Sequence, residues 1–277
     1  MSRSLHRITA VLLVSALLAA CATSPTGRRQ LMLVSEDSAI ASSAQAYVQE
    51  VGKLKKEGKL SSDKALIQRV NSITERLVAQ AILMRPDSAD WAWSVAVIDD
   101  PETVNAWCMA GGRMAIYTGL IDKIDPSDDE VAQVMGHEIG HALANHTAEK
   151  MSVAMASSIG VVAVGVASDN KGAAMTGAAA AAALAVTLPN SRTAETEADR
   201  IGIELAAKAG YDPAAAVTLW RKMNNLPGGQ PPQFLSTHPN PENREKKLAG
   251  LGPEMEPYYR ADSPRPTHPV QSVTALD

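Results

Sequence analysis

The chain has 277 residues, 45% of them hydrophobic, and a formal net charge of −4 from 26 basic and 30 acidic side chains. That composition excludes a disordered or fibrous chain, and without a Lys/Arg-rich block it offers no electrostatic footprint for nucleic acid. Two cysteines, Cys21 and Cys108, exclude a disulfide-stapled scaffold, and a 4% aromatic content with one Phe, Phe234, leaves Ala, Val, Leu, Ile and Met to build the core, which favours packed helices.

In chain order, Arg3 and Arg7 flank the start of an apolar run over 8–18 that is too short to span a bilayer, so residues 1–20 read as a secretory signal. Leu18-Ala19-Ala20-Cys21 closes it, and small residues directly before a cysteine resemble the lipobox of bacterial lipoproteins. That resemblance makes Cys21 a lipidation site, and Ala22 in place of Asp implies the periplasmic face of the outer membrane. Residues 21–30 read as a polar tether to a domain over 31–252. Helices are predicted over 36–57 and 61–82, the second with Leu66, Ile67, Val70, Ile73, Leu77 and Val78 at helical spacing, and Pro86 ends that region. Residues 91–98, 104–109 and 113–117 have strand character. Gly111-Gly112 is a hairpin signal between the last two, and the prediction is one small antiparallel sheet of three or four strands. Cys108 reads as a small buried hydrophobe within it.

Ser127 and Glu130 form a capping box that opens a helix running to about Met151. Residues 151–188 are Ala-rich, with Asp169 and Lys171 their only charges, which predicts a hairpin of two apolar helices that is soluble or grazes a membrane. Further helices are predicted over 192–209, 213–225 and 241–250, and the Pro-rich tail over 253–277 reads as disordered. The fold class is α+β and predominantly helical.

His137-Glu138-Ile139-Gly140-His141 lies inside the helix opened by the capping box. Residues four apart share a helix face, so both imidazoles can point at one ion. Neutral imidazole suits Zn²⁺, and a catalytic zinc takes three protein ligands and a water. Glu138, beside the first of the two histidines, is where a carboxylate can take a proton from that water. A third ligand is needed. Ala144 and Thr147 stand where the metzincin pattern requires Gly and His, which excludes that class. Glu195 and Asp199 on a later helix are again four apart; one can bind the metal while the other accepts the remaining N–H of a metal-bound His. Glu197, on the opposite side of that helix, reads as a solvated surface charge.

Asn105-Ala106, Gly111-Gly112 before a strand, Thr118-Gly119-Leu120, His137 to His141, Glu195-x-x-Ala198-Asp199-Arg200 and Ser236-Thr237-His238-Pro239 together resemble the HtpX/CAAX-prenyl-protease family of zinc metalloendopeptidases. The likeness is greatest to its periplasmic lipoprotein branch, the LoiP/BepA type. The chain departs from the family at Ala110, where a Pro is usual. The resemblance implies a gluzincin-like fold, one Zn²⁺ per chain held by His137, His141 and Glu195, and Glu138 as general base. It implies that the strand after Gly111-Gly112, with Arg113 and Met114, is the edge on which an extended substrate lies as an added strand. It also brings His238 close to the zinc, either stabilising the oxyanion or latching the fourth metal position.

The other polar candidates read as structural. His146 reads as a surface or helix-end histidine, and Arg192 and Arg244 as surface salt-bridge partners. Two functions stay open at this point. One is a lipid-anchored endopeptidase that cleaves unfolded or misassembled envelope proteins, in outer-membrane protein quality control and with the outer-membrane assembly machinery as partner. The other is a zinc-containing, non-proteolytic assembly factor for outer-membrane proteins. The intact Glu138 favours the first, because a structural zinc site has no need of a base.

Overall fold

A computed structural model describes residues 21–167, 191–226, 232–239 and 243–275. The chain divides into two compact units, one of Met1–Ala39 with Ala148–Leu188 and the other of Ile40–Thr147 with Pro189–Asp277.

In the first unit, β1 (Cys21–Thr23) and β2 (Arg29–Leu31) pair as an antiparallel hairpin with Cys21 opposite Leu31. Arg28 grips the carboxylate of Glu149 with two bonds of 2.7 and 2.6 Å, Gln30 adds a third at 2.9 Å, and the Val34 amide donates to Ser152 Oγ. The expected polar tether is therefore a folded hairpin. Its charge and amide groups have partners far along the chain, which local composition does not reveal. Residues 1–20, expected as the signal, and the later part of the Ala-rich 151–188 segment lie outside the described residues. No helix among the described residues is long and apolar enough to cross a membrane.

The second unit begins its core with α1 (Glu36–Lys56) and α2 (Lys64–Met84). Asp63 caps α2, its carboxylate accepting from the amides of Ala65 and Leu66, and the helix buries Val70, Ile73, Leu77, Val78 and Ala81 along one stripe. Four strands follow the order β4 (Ala106–Met109), β5 (Arg113–Tyr117), β3 (Ser94–Ile98), β6 (Gln271–Val273). Gly111 and Gly112, at φ 84° and 82°, turn β4 antiparallel onto β5, as the hairpin signal indicates. β3, however, runs parallel to both β5 and β6. The sheet is thus mixed and not antiparallel. Alternation and apolar runs identify strands, whereas their direction depends on which neighbour the crossover chooses, and β3 is buried at all five positions.

After β5 come α3 (Thr118–Ile124) and α4 (Asp128–Leu143). Ser127 and Glu130 make the reciprocal capping box, with Ser127 Oγ accepting from the Glu130 amide and Glu130 Oε2 from the Ser127 amide. Every residue of α4 from Glu130 to Leu143 is buried, so this helix is the axis of the unit. It stops earlier than predicted. Ala144 is its cap and Asn145 takes the left-handed conformation at φ 54°, so the chain turns before His146 opens α5 (His146–Ala167).

Beyond these lie α6 (Arg192–Ala209), capped by Ser191 and closed by Gly210 at φ 91°, then α7 (Ala215–Asn224), α8 (Gln233–Thr237) and α9 (Arg244–Tyr259). The expected disordered tail is ordered. α9 continues through Pro253 and Pro257, and Arg265 donates to the carbonyls of Tyr258, Tyr259, Ala261 and Lys208. The chain then reaches β6, whose Gln271 amide bonds the Trp93 carbonyl. A proline-rich composition signals loose chain only while its backbone lacks partners, and here one guanidinium and one strand edge supply them.

Candidate active site and metal centre

His137, Glu138 and His141 come from consecutive turns of α4. His137 Nε2 and His141 Nε2 stand 3.0 Å apart. Glu195, in the first turn of α6, brings Oε2 to 3.4 Å from His137 Nε2 and Oε1 to 3.3 Å from His141 Nε2. His238, directly after α8, turns Nδ1 inward, 3.3 Å from His137 Nε2 and 3.1 Å from Glu195 Oε1. All four side chains are buried and their ligand atoms lie within 4.8 Å of one another. A tetrahedral zinc with bonds of about 2.0–2.1 Å has edges of roughly 3.3 Å. Three nitrogens and a carboxylate oxygen at these separations fit that ion.

The electrostatics agree with a site built for a cation. Burial disfavours a charged His137, yet bonds to Asp199 and Glu195 overcome it and push the imidazolium up to about 9. Burial holds His141 well below the ordinary histidine range, so it is neutral and able to ligate. Burial also opposes ionisation of Glu195, but His137, His141 and His238 outweigh it and hold the carboxyl far below the usual range.

Glu138 faces the cluster from the side of β4. Burial pushes its carboxyl up, opposed by His238 and His137 and by the Cys108 amide. Its Oε1 is 3.4 Å from His238 Nε2. Phe234 stacks on His238 at 4.5 Å between centroids and 23° between planes, and the His238 amide donates to the Phe234 carbonyl. Phe234 of α8 thereby holds His238 through both its ring and its backbone.

Asp199, expected to orient a metal-bound histidine, places its Oδ1 3.0 Å from His137 Nδ1. Three further residues belong to the site although their sequence positions suggest otherwise. Arg244, expected on the surface, is 2% exposed; it bonds Asp199, reaches Glu195 Oε2 at 3.4 Å and lies 3.4 Å over the Trp220 ring. His146 and Glu197 are buried as well. His146 Nδ1 is 2.8 Å from His141 Nδ1, and its Nε2 is 3.1 Å from Glu197 Oε2. The signal for His146 was Asn145, a residue that readily takes the left-handed turn ending α4. Arg192 remains exposed.

One expectation fails. Arg113 and Met114 lie in β5, which is paired on both sides, to β4 and to β3, so they present no free edge. Among the described residues the edge strands are β4 and β6, and the β4 amide of Cys108 faces Glu138. Gly111 and Gly112 make the turn that returns β4 to β5, packed against Ile40 and Trp93 with no space for a Cβ.

A family model described as peptidase family M48 matches residues 65–251, a span that takes in every member of this cluster. The chain belongs to peptidase family M48. The family is one of peptidases, and the His-His-Glu-His cluster is where a single zinc fits. Over 159 residues, 57% of its length, this M48 chain is 40% identical to mitochondrial metalloendopeptidase OMA1 of Arabidopsis thaliana. Over 191 residues, 68% of its length, it is 34% identical to the OMA1 metalloendopeptidase of Schizosaccharomyces pombe. Over 217 residues, 75% of its length, it is 30% identical to the beta-barrel assembly-enhancing protease of Escherichia coli. The chain spans 31%, 53% and 43% of the lengths of these three relatives.

Proposed function

We propose that this chain is an endopeptidase that cleaves unfolded or misassembled proteins of a Gram-negative-type envelope, anchored by lipid on Cys21 to the periplasmic face of the outer membrane. The observation that carries the hydrolytic part is the buried Glu138 beside the His137, His141, Glu195 cluster. The envelope part rests on the lipobox-like Leu18 to Cys21 and on similarity to a protease whose name concerns β-barrel assembly.

Zinc held by His137, His141 and Glu195 would supply Lewis acidity, lowering the pKa of a water and stabilising charge on the scissile carbonyl oxygen. Glu138 accepts the proton of the attacking water and delivers it to the leaving amine; a carboxyl raised by burial is suited to both halves of that exchange. The free edge of β4 beside Glu138 suits an extended chain added as a strand, held by backbone bonds and so indifferent to most side chains. Such recognition selects for unfolded segments.

His238 bears on regulation. With Nδ1 completing four donors, it occupies the position that a substrate or water needs, which favours a latch over an oxyanion donor. A closed four-ligand set is also what a non-proteolytic assembly factor would keep. Zinc content and casein cleavage of wild type, Glu138→Gln and His238→Ala separate these. One zinc per chain with cleavage in wild type or in His238→Ala, and none in Glu138→Gln, supports the peptidase. One zinc with no cleavage in any of the three supports the assembly factor.

A further inference from the structure

An imidazole that turns Nε2 to a metal carries its proton on Nδ1, and that proton needs an acceptor. For His137 the acceptor is a carboxylate, Asp199. For His141 it is another imidazole. His141 Nδ1 lies 2.8 Å from His146 Nδ1, and His146 Nε2 lies 3.1 Å from Glu197 Oε2. With His141 Nε2 turned to the metal, one arrangement of protons satisfies both contacts: His141 donates from Nδ1, His146 accepts at Nδ1, and His146 donates from Nε2 to the carboxylate. His141, His146 and Glu197 are 6%, 3% and 6% exposed, so water does not compete for these bonds.

We propose that Glu197 and His146 form a positioning relay that fixes the tautomer and aim of His141, so that Glu197 serves the metal through two imidazoles. The relay rests on the metal-site reading above. Both histidines that α4 turns to the metal are then oriented from α6, one directly by Asp199 and one at a distance by Glu197. The left-handed Asn145 makes this geometry, because an unbroken helix would carry His146 about 140° away from His141.

The full chain, stripped of metal and titrated with zinc against a competing chelator, tests this. Loss of such an outer partner costs on the order of 10–100-fold in metal affinity. Glu197→Gln and His146→Leu are expected to lose about tenfold or more, while His146→Asn, whose Oδ1 replaces the Nδ1 acceptor, recovers most of it. Melting of the metal-free variants separates positioning from packing. Affinities within twofold of wild type, with or without a lower melting temperature, would overturn the relay. Nitrogen-15 spectra of the zinc-loaded wild type need no variant: His146 should carry its proton on Nε2 alone and His141 on Nδ1 alone, and any other tautomer overturns the proposal. A wild type that binds no zinc would sink the metal site itself, and the relay with it.

Discussion

Gly202 on α6 meets the backbone of His137 on α4 so closely that a Cβ at Gly202 would lie 2.7 Å from the His137 nitrogen and 2.8 Å from its Cα. Gly136 and Gly140 make the matching approach from α4, where added Cβ atoms would come within 2.9 Å of the Gly202 carbonyl and 3.0 Å of the Ala198 carbonyl. The two helices touch almost on bare backbone, and this brings Glu195 and Asp199 within reach of His137. Alanine is favoured over glycine in a helix by about 1 kcal/mol, so propensity alone predicts that Gly202→Ala stabilises the protein. The contact predicts the opposite: overpacking costs roughly 1–3 kcal/mol. Melting of the variant decides the sign, and zinc affinity is expected to fall with it as the helices part.

Arg244 bonds both Asp199 and Glu195, and among the described residues no other Lys or Arg does so. Removing one partner of a buried ion pair leaves an uncompensated charge and costs about 3–5 kcal/mol. Arg244→Ala is expected to destabilise the protein by that order in denaturant unfolding. Arg244→Lys is expected to recover only part, because an ammonium cannot bridge two carboxylates and lie flat over Trp220.

The pH dependence of zinc binding follows from His137. Its pKa, pushed up to about 9, lies above the ordinary histidine value of 6.5. The raised value means a stabilising contribution that is full below about 6.5 and lost as the pH rises through about 9. Zinc needs the neutral ring and displaces that proton. Affinity should therefore climb by up to about tenfold per pH unit between 6.5 and 9 and flatten above, as proton release measured by calorimetry in buffers of different ionisation enthalpy would record.

Glu138→Gln keeps the shape of the site and removes the proton acceptor. Cleavage is expected to fall by at least about 10²-fold with zinc content unchanged. His238→Ala leaves His137, His141 and Glu195 in place and opens the fourth position, so peptidase activity should rise while zinc still binds at one per chain. A variant that loses both zinc and activity would mean that His238 is an obligatory ligand.

Much of the site was legible in the residues themselves. His137 and His141 four apart on a capped helix, and Glu195 and Asp199 four apart on another, are local spacings, and a helix converts spacing into direction. The capping box at Ser127 and Glu130 set where α4 begins for the same reason. His146 and Glu197 were misread by that very logic: at five residues and at two, both point away from the site on an unbroken helix. The turn at Asn145 and the packing of α6 moved them inside. Arg244 could not be placed from sequence either, since a lone arginine carries no periodicity and its partners lie 45 and 49 residues away.

The sheet divides along the same line. Strand identity in 94–98, 106–109 and 113–117 is a short-range property of β-branched and apolar runs, and it was readable. Which strand lies at the edge is not. β3 pairs parallel to β5 and to β6, a strand from the far end of the chain, and these pairings leave β4 as the edge beside Glu138. Sequence spacing by itself pointed to the candidate donors, to Glu138 beside them and to the helices that bear them. Tertiary structure decided the rest: which strand lies at the edge beside Glu138, which nitrogen His238 turns inward, and the buried partners that orient the cluster. Those depend on contacts between segments far apart in the chain, for which no local pattern exists.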